Sequence, residues 1–390
     1  MKKLLNYLSP FAPDQSGACG VLYELGGIIV ICDAGGCTGN VCGFDEPRWF
    51  TKKSAVFSAG LRDMDAIMGR DDKLIAKLGD AHDRLKTPFT ALIATPVPAV
   101  IGTDMKALKR MAEKRTGVPC IAINAIGTKY YDEGESEAWY QLFKEFTTDG
   151  KRSNTDNGEA REKSKNDNLT ETEELISKVG IIGATPLETG YADAAPLIEA
   201  CHEYGIDEPV IYSMGTGLEE VRRASGVKYN LVVSAAGIRA AEYLKSEFGI
   251  PYETGYPFIP SDVIEECIKS FETKSHNRNV LIIHSQFAAN ELRNIVFHNL
   301  ATMGVEAEET KVSCSTFFMM NDKYAEEGDF RLSGEDELAE IASENRYDTI
   351  IGDGDLERLL KAYGFRGEFI EFPSFAISGK PLGEGRTLYN

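Results

Sequence analysis

Short apolar runs, each four to six residues long, recur along this chain and are separated by segments with helical periodicity. They fall at 27–32, 90–95, 120–124, 179–182, 209–213, 229–234, 280–284 and 349–352. A strand with one wet face alternates polar and apolar side chains. Runs such as IIVIC and VLIIH are apolar throughout, so both faces of their sheets must be covered. The intervening segments supply the cover. In 72–85, Leu74, Ile75, Leu78, Ala81 and Leu85 share one helical face. The segment 104–115 reads as another helix, with Thr103 expected as its N-cap and Gly117 closing it. Strand–helix alternation of this kind predicts an α/β fold of doubly wound parallel sheets.

Two polar stretches divide the pattern. The run TTDGKRSNTDNGEAREKSKNDNLTET at 147–172 has almost no apolar residue and reads as a linker or loop; ETKSHNRN at 272–279 is a second boundary. Three Rossmann-like units are therefore expected, at 1–146, 173–271 and 277–390, around a central cleft. A chain of 390 residues has ample length for several cores. No apolar run is long enough to span a bilayer, and MKKLLNYLSPFAPDQSG lacks the apolar stretch of a signal peptide. Eight cysteines in a chain this long are not a secreted disulfide scaffold, so a cytoplasmic protein is expected. The net charge of −19 lacks the basic footprint of a nucleic-acid binder. It reads as a solvated acidic surface, or as a field that steers a basic partner or cationic substrate.

Four of the eight cysteines lie between Cys19 and Cys42, in CGVLYELGGIIVICDAGGCTGNVC. The centre of that run reads as a buried strand ending in a glycine-rich turn that presents Cys37. Gly35 and Gly36 would let the backbone approach a bulky inorganic group, and thiolates at a strand end are soft ligands suited to an iron–sulfur cluster. Cys32, Cys37 and Cys42 are spaced at five residues, which matches neither a ferredoxin run nor a zinc pair. Cys32, inside the strand, reads as core, and Cys19 and Cys42 suit either role. Cys120 reads as core, with a place facing the same crevice as the alternative. Cys201, Cys267 and Cys314 suggest no role.

The segment ALIATPVPAVIGTDMKAL reads strand, loop, helix. Gly102 and Thr103 would place backbone N–H groups where an anion or cluster sulfide is stabilised; ordinary capping accounts for them equally well. SMGTGLEEVRR and the glycines at 352 and 354 are fragments of a nucleotide-binding pattern, and GxxxxGKS/T is absent. His284 ends the run VLIIH, at the sheet edge where α/β proteins bind ligands, or is a hydrogen-bonded structural histidine.

Taken in order, these segments resemble the nitrogenase component 1 family, which includes nitrogenase molybdenum–iron protein subunits, cofactor-assembly scaffolds and the catalytic subunits of dark-operative protochlorophyllide reductase. IVICDAGGC resembles that family's strand ending in His-Gly-Pro-x-Gly-Cys, with Cys37 on the cluster cysteine. DMDAIMGRDDKLIAKL resembles its Glu-x-Asp-x-Val-Phe-Gly-Gly segment, and PAVIGTDMKAL its Ile-Gly-Asp-Asp. GVPCIAINAIGTK, VGIIG and SEFGIPYETGYPF resemble later strands and its Phe-Gly-Ile-Pro-Tyr segment.

Departures from the family pattern narrow what the resemblance implies. Counting back from Cys37 by the family's spacing reaches Phe11, which has no thiol, and a third cysteine position falls at Thr95-Pro96. Cys37 alone carries over, with Cys19 and Cys42 as substitutes. The two positions that hold the catalytic cofactor in nitrogenase fall at Val233 or Ser234 and at Pro373, so no molybdenum–iron cofactor is expected. The resemblance implies an oxidoreductase subunit acting on a small-molecule substrate other than dinitrogen. It implies a homodimer with one 4Fe–4S cluster at the interface, fed by a P-loop iron–sulfur ATPase reductase. Asp33, Asp104 and His284 are candidate proton donors. An assembly scaffold or carrier, and a cluster-free small-molecule binding protein, are the alternatives.

Overall fold

The computed structural model describes residues 5–148, 177–273, 278–302 and 310–378. Most of the polar stretch at 147–172 and part of that at 272–279 lie outside them. Three separate parallel sheets make up the architecture. The first contains β1 (Ile28–Ile31), β2 (Ala55–Ser58), β3 (Thr90–Ile93) and β4 (Cys120–Ile123) in the order β2-β1-β3-β4. The second contains β5 (Val179–Ile182), β6 (Pro209–Ile211), β7 (Tyr229–Val232) and β8 (Tyr252–Thr254) in the order β6-β5-β7-β8. The third holds β9 (Arg278–Ile283), β10 (Thr310–Thr316), β11 (Phe330–Arg331), β12 (Thr349–Gly352) and β13 (Glu368–Glu371), ordered β11-β10-β9-β12-β13.

Each sheet reverses its winding once, beside its first strand, and every pairing is parallel. The reversal leaves a crevice at the carboxyl ends of β1 and β3, of β5 and β7, and of β9 and β12, where open α/β sheets bind ligands. Alternate side chains of one strand enter different cores, as the unbroken apolar runs require. Ile29 and Ile31 join the core that includes Trp139 and Phe143, whereas Ile28, Val30 and Cys32 join Leu74, Leu78 and Leu108 on the opposite face. Cys32 and Cys120 are both core residues on that second face.

The helix Asp14–Leu22 crosses the helix Tyr131–Phe146 at two glycines. A Cβ at Gly17 would lie 2.0 Å from the Tyr131 carbonyl oxygen, and one at Gly134 would lie 1.8 Å from that of Asp14. Only glycine permits this approach. It seats the start of Tyr131–Phe146 directly on the helix Asp14–Leu22. Arg48, fully buried, ties the first two sheets together: its guanidinium grips Glu46 at 2.7 Å through Nε and again through Nη2, and donates to the Ser213 carbonyl at 2.8 Å.

One expected cap moves by a residue. Asp104, not Thr103, caps the helix Met105–Thr116, accepting from Lys106 N at 2.9 Å and Ala107 N at 3.0 Å. A carboxylate there accepts two donors and also opposes the helix dipole, which a hydroxyl does less well. Gly102, with φ +71, instead ends the preceding short helix Pro96–Ile101.

Candidate functional site

The crevice of the first sheet is built on Asp33. Its buried carboxylate accepts from Thr38 N at 2.8 Å, from Thr38 Oγ1 at 3.0 Å and from Ser58 Oγ at 2.6 Å. It therefore locks the turn after β1 onto the end of β2. Gly35 follows at φ +116, and the short helix Gly36–Asn40 lifts Cys37 to the surface. Asp45 holds the far end of this loop through Ser16, Asn40 and Ser378 at 2.6 to 2.8 Å. The loop is thus anchored at both ends and open between them. A Cβ at Gly36, Gly39 or Gly43 would meet nothing within 4 Å.

Cys37 is half-buried, and the Thr95 hydroxyl at the end of β3 is its hydrogen-bonding neighbour. Burial, and then the Asp33 carboxylate, push the Cys37 thiol above its usual range. Cys42 is also half-buried and is pushed to about 11, chiefly by burial and then by Glu46. Cys19 is fully buried within Asp14–Leu22, its thiol raised by burial and by Glu46, and Cys42 is close enough to add to the effect. Among the described residues no three Cys, His, Asp or Glu side chains are arranged to hold a metal ion. One chain therefore presents two partly exposed thiols here, Cys37 on the open glycine loop and Cys42 at its far side. Thiols are the donor type that an iron–sulfur cluster takes, and within one chain neither belongs to a group of three donors among the described residues. Gly102 and Thr103 lie on the surface one short helix beyond Thr95, and the helix start that follows them is filled by the Asp104 carboxylate.

Apolar side chains surround this loop. Phe44 lies within it, Met64 and Ile67 lie on the helix Asp63–Met68, and Val100 lies in the last turn of the helix Pro96–Ile101 that begins beside Thr95; all are exposed, Val100 by 85 %. Arg62 ties Asp63–Met68 to the loop by donating to the Ala34 carbonyl at 2.8 Å.

The other two crevices converge elsewhere, on Glu188 of the short helix Pro186–Thr189 that follows β5. Ser285 Oγ, one residue past the end-of-strand His284, donates to Glu188 Oε1 at 2.5 Å, and Tyr131 OH donates to Oε2 at 2.7 Å. Ser234, after β7, adds a third hydroxyl, and Tyr256 OH donates to the Glu188 backbone carbonyl at 3.0 Å. Thr185, also after β5, donates to Glu135, and Asp132 accepts from Met319 N. Residues that follow strands of the second and third sheets thus meet the helix Tyr131–Phe146 at a closed, acidic junction. Burial raises Glu188 to about 7 and Asp132 to about 6, and pushes Glu135 well above the carboxylate range.

The sequence-expected residues divide between these places. Cys37, Gly35 and Gly36 lie on the open loop, with Cys42 at its far side and Cys19 beneath. Asp33 and Asp104 are committed to capping backbone N–H groups. His284 reaches the junction, where burial lowers it to about 4 and keeps the imidazole neutral; Nε2–H donates to the Pro373 carbonyl at 2.9 Å and Nδ1 accepts from Ser285 N at 2.8 Å. Ser234 and Pro373, the positions that the resemblance assigns to cofactor ligands, both fall here. Phe11 lies in an aromatic cluster with Phe317 and Phe318, at 5.3 and 5.0 Å. Glu135 and Glu188 were not singled out in the sequence. The one signal was an acidic residue in TPLETG, immediately after an apolar strand.

The chain matches the family model for nitrogenase component 1 type oxidoreductases over residues 16–270. Among solved structures it is similar to nitrogenase Cp1 at pH 6.5, with a TM-score of 0.66 and 10 % identity over 100 % of this chain and 90 % of that one. Nitrogenase Cp1 at pH 5 gives a TM-score of 0.63 and 14 % identity, covering 97 % of this chain and 86 % of that one. Comparison with curated protein sequences finds no match.

Proposed function

The chain belongs to the nitrogenase component 1 type oxidoreductases, and from that premise we propose that it is the electron-accepting subunit of a reductase system. It acts as a homodimer in which Cys37 of both copies, with Cys42 and then Cys19 as supporting thiols, holds one 4Fe–4S cluster. Bound there, the cluster would supply low-potential electrons one at a time. A separate P-loop iron–sulfur ATPase component delivers them, and an organic small molecule, not dinitrogen, receives them. The observation that carries this reading is Cys37 itself: a half-buried thiol at a crevice, on a loop whose glycines face open space. The exposed Phe44, Ile67 and Val100 beside it supply an apolar surface for the second copy. Gly35, Gly36, Gly102 and Thr103 border the cluster's side of the crevice.

Absence of a molybdenum–iron cofactor is part of the reading. Ser234 bonds Glu188, and the Pro373 carbonyl accepts from His284, so both assigned positions are engaged within the protein. The thiols favour a second reading, a cluster-free small-molecule binding protein, because all three are raised in pKa and a ligand thiol must lose its proton.

Iron and acid-labile sulfide content, with EPR of the dithionite-reduced state, separates the two on strictly anaerobic protein and on Cys37→Ala. The expected outcome is stoichiometric iron and sulfide per dimer, lost in the variant. Iron-free, well-folded dimer would leave the second reading.

A further inference from the structure

The acidic junction poses a problem that the cluster does not solve. Asp132, Glu135 and Glu188 are 3 %, 0 % and 2 % exposed. A buried carboxylate must be neutralised by a cation, a metal or a proton, because an unpaired charge there costs several kcal/mol or more. Arg331 is the cation facing Asp132, but among the described residues none is free to pair with Glu135 or Glu188. Arg48 is the cation that acts on Glu135, and its guanidinium N–H groups are already given to Glu46, Glu24, Gly20 O and Ser213 O. No three side chains among the described residues are arranged for a metal. The remaining groups facing the pair are Tyr131, Tyr256, Asp132 and His284, and burial keeps His284 neutral.

Two further observations point to protons and water. Glu135 Oε2 is fully buried with no hydrogen-bond partner, although Thr185 satisfies its other oxygen. One turn along the same helix face, Trp139 Nε1 is also buried and unpartnered. A carboxylic acid O–H and one ordered water would satisfy both. Glu188, by contrast, receives hydroxyl donors on both oxygens, an environment that tolerates either protonation state.

We propose that Glu135 and Glu188 are held as carboxylic acids and form a proton reserve, with one fixed and one exchanging proton, where residues following the second and third sheets meet the helix Tyr131–Phe146. Its use in reducing a substrate rests on the reading above; the reserve itself does not. Glu135 is the fixed member, protonated throughout the neutral range. Glu188 is the exchanging member: loss of its proton breaks one O–H bond and leaves a carboxylate already held by Ser285, Tyr131 and Ser234. Solvent returns that proton. With its value near 7, Glu188 changes charge in the working pH range.

Infrared spectroscopy of the full chain reads this directly through the C=O stretch of protonated carboxyl groups, in H2O and D2O from pH 5 to pH 9. Buried bands are expected from Glu135 and Glu188, each shifting in D2O, beside that of Asp132, which a glutamate label leaves in place. Glu188→Gln should remove the one that titrates near neutrality, and Glu135→Gln the one that does not. Labelling the wild type with carboxyl-13C glutamate identifies both bands without a substitution, should either variant fail to fold. Absence of label-sensitive bands at pH 6, or bands that neither titrate nor shift in D2O, would overturn the proposal. Bands in an iron-free protein would leave the reserve standing and remove the reductase reading; stoichiometric iron without the bands would do the reverse.

Discussion

The loop around Cys37 and the junction around Glu188 sit at equivalent places, beyond the carboxyl ends of parallel strands where a sheet reverses its winding. They are built in opposite ways. The Cys37 loop is clamped at its ends by Asp33 and Asp45, lined by glycines with nothing beside them, and ringed by exposed apolar side chains. The Glu188 junction is closed, its hydroxyls and carboxyls turned on one another. Topology fixes where a site lies, and side chains decide whether it is completed from within or left for a partner. Here the open crevice carries the metal-binding residue type and the closed one carries the acids.

Glycine substitutions test that difference with the largest effect. Gly134 lies at the crossing of the helices Asp14–Leu22 and Tyr131–Phe146, and a Cβ there would overlap the Asp14 carbonyl. Gly134→Ala should destabilise the chain by about 3 kcal/mol or more, or prevent folding, because backbone, not a flexible side chain, would have to move. Gly39→Ala, in the open loop, should change stability by no more than about 1 kcal/mol, in the stabilising direction, as expected for alanine in a helix. Urea unfolding of both variants measures the contrast. Equal costs would mean that the loop is as tightly packed as the helix crossing.

Proton linkage gives the next effect. The Glu188 value is raised on folding, so the folded chain binds the extra proton. Its stability contribution is intact below the unfolded value of 4.5 and is lost progressively as pH rises towards about 7. Wild-type unfolding free energy should therefore fall across that window, by on the order of 3 kcal/mol from this group, and level off above it. Glu188→Gln cannot ionise and should remove that part of the slope. An unchanged slope in the variant would place the titration on another group, with Asp132 the first to examine.

Much of the fold was legible because its central strands are apolar on both faces. Val179–Ile182 and Thr349–Gly352 appear with the bounds expected from their sequence alone. The strands that escaped notice are those whose environment is mixed. Thr310–Thr316, TKVSCST, alternates polar and apolar residues, and Ala55–Ser58, Tyr252–Thr254, Phe330–Arg331 and Glu368–Glu371 are short edge strands with exposed positions. The site divides in the same way. Cys37 announced itself because glycine and cysteine at a strand end are a local pattern. The Glu188 junction is assembled from Tyr131, Thr185, Ser234 and Ser285, which no local window contains, and its acids look like surface residues until the fold closes over them. The −19 charge concealed them further, since a few acids among 61 Asp and Glu draw no attention.

The smallest effect lies on the open side, at the turn after Gly102. Asp104 is exposed and accepts from two backbone N–H groups of Met105–Thr116, whereas Thr103 caps nothing in the structure. Asp104→Ala should cost about 1 kcal/mol, and Thr103→Ala no more than about 0.5 kcal/mol, by thermal or urea unfolding. The pair also bears on the crevice. If Gly102 and Thr103 approach a bound anionic group, Thr103→Ala should leave the stability of iron-free protein unchanged yet lower that of iron-loaded protein. Equal stability in both states would confine these two residues to the connection between helices. The open region would then rest on Cys37 and its glycine loop, and the comparison with the closed junction would narrow to one thiol against two acids.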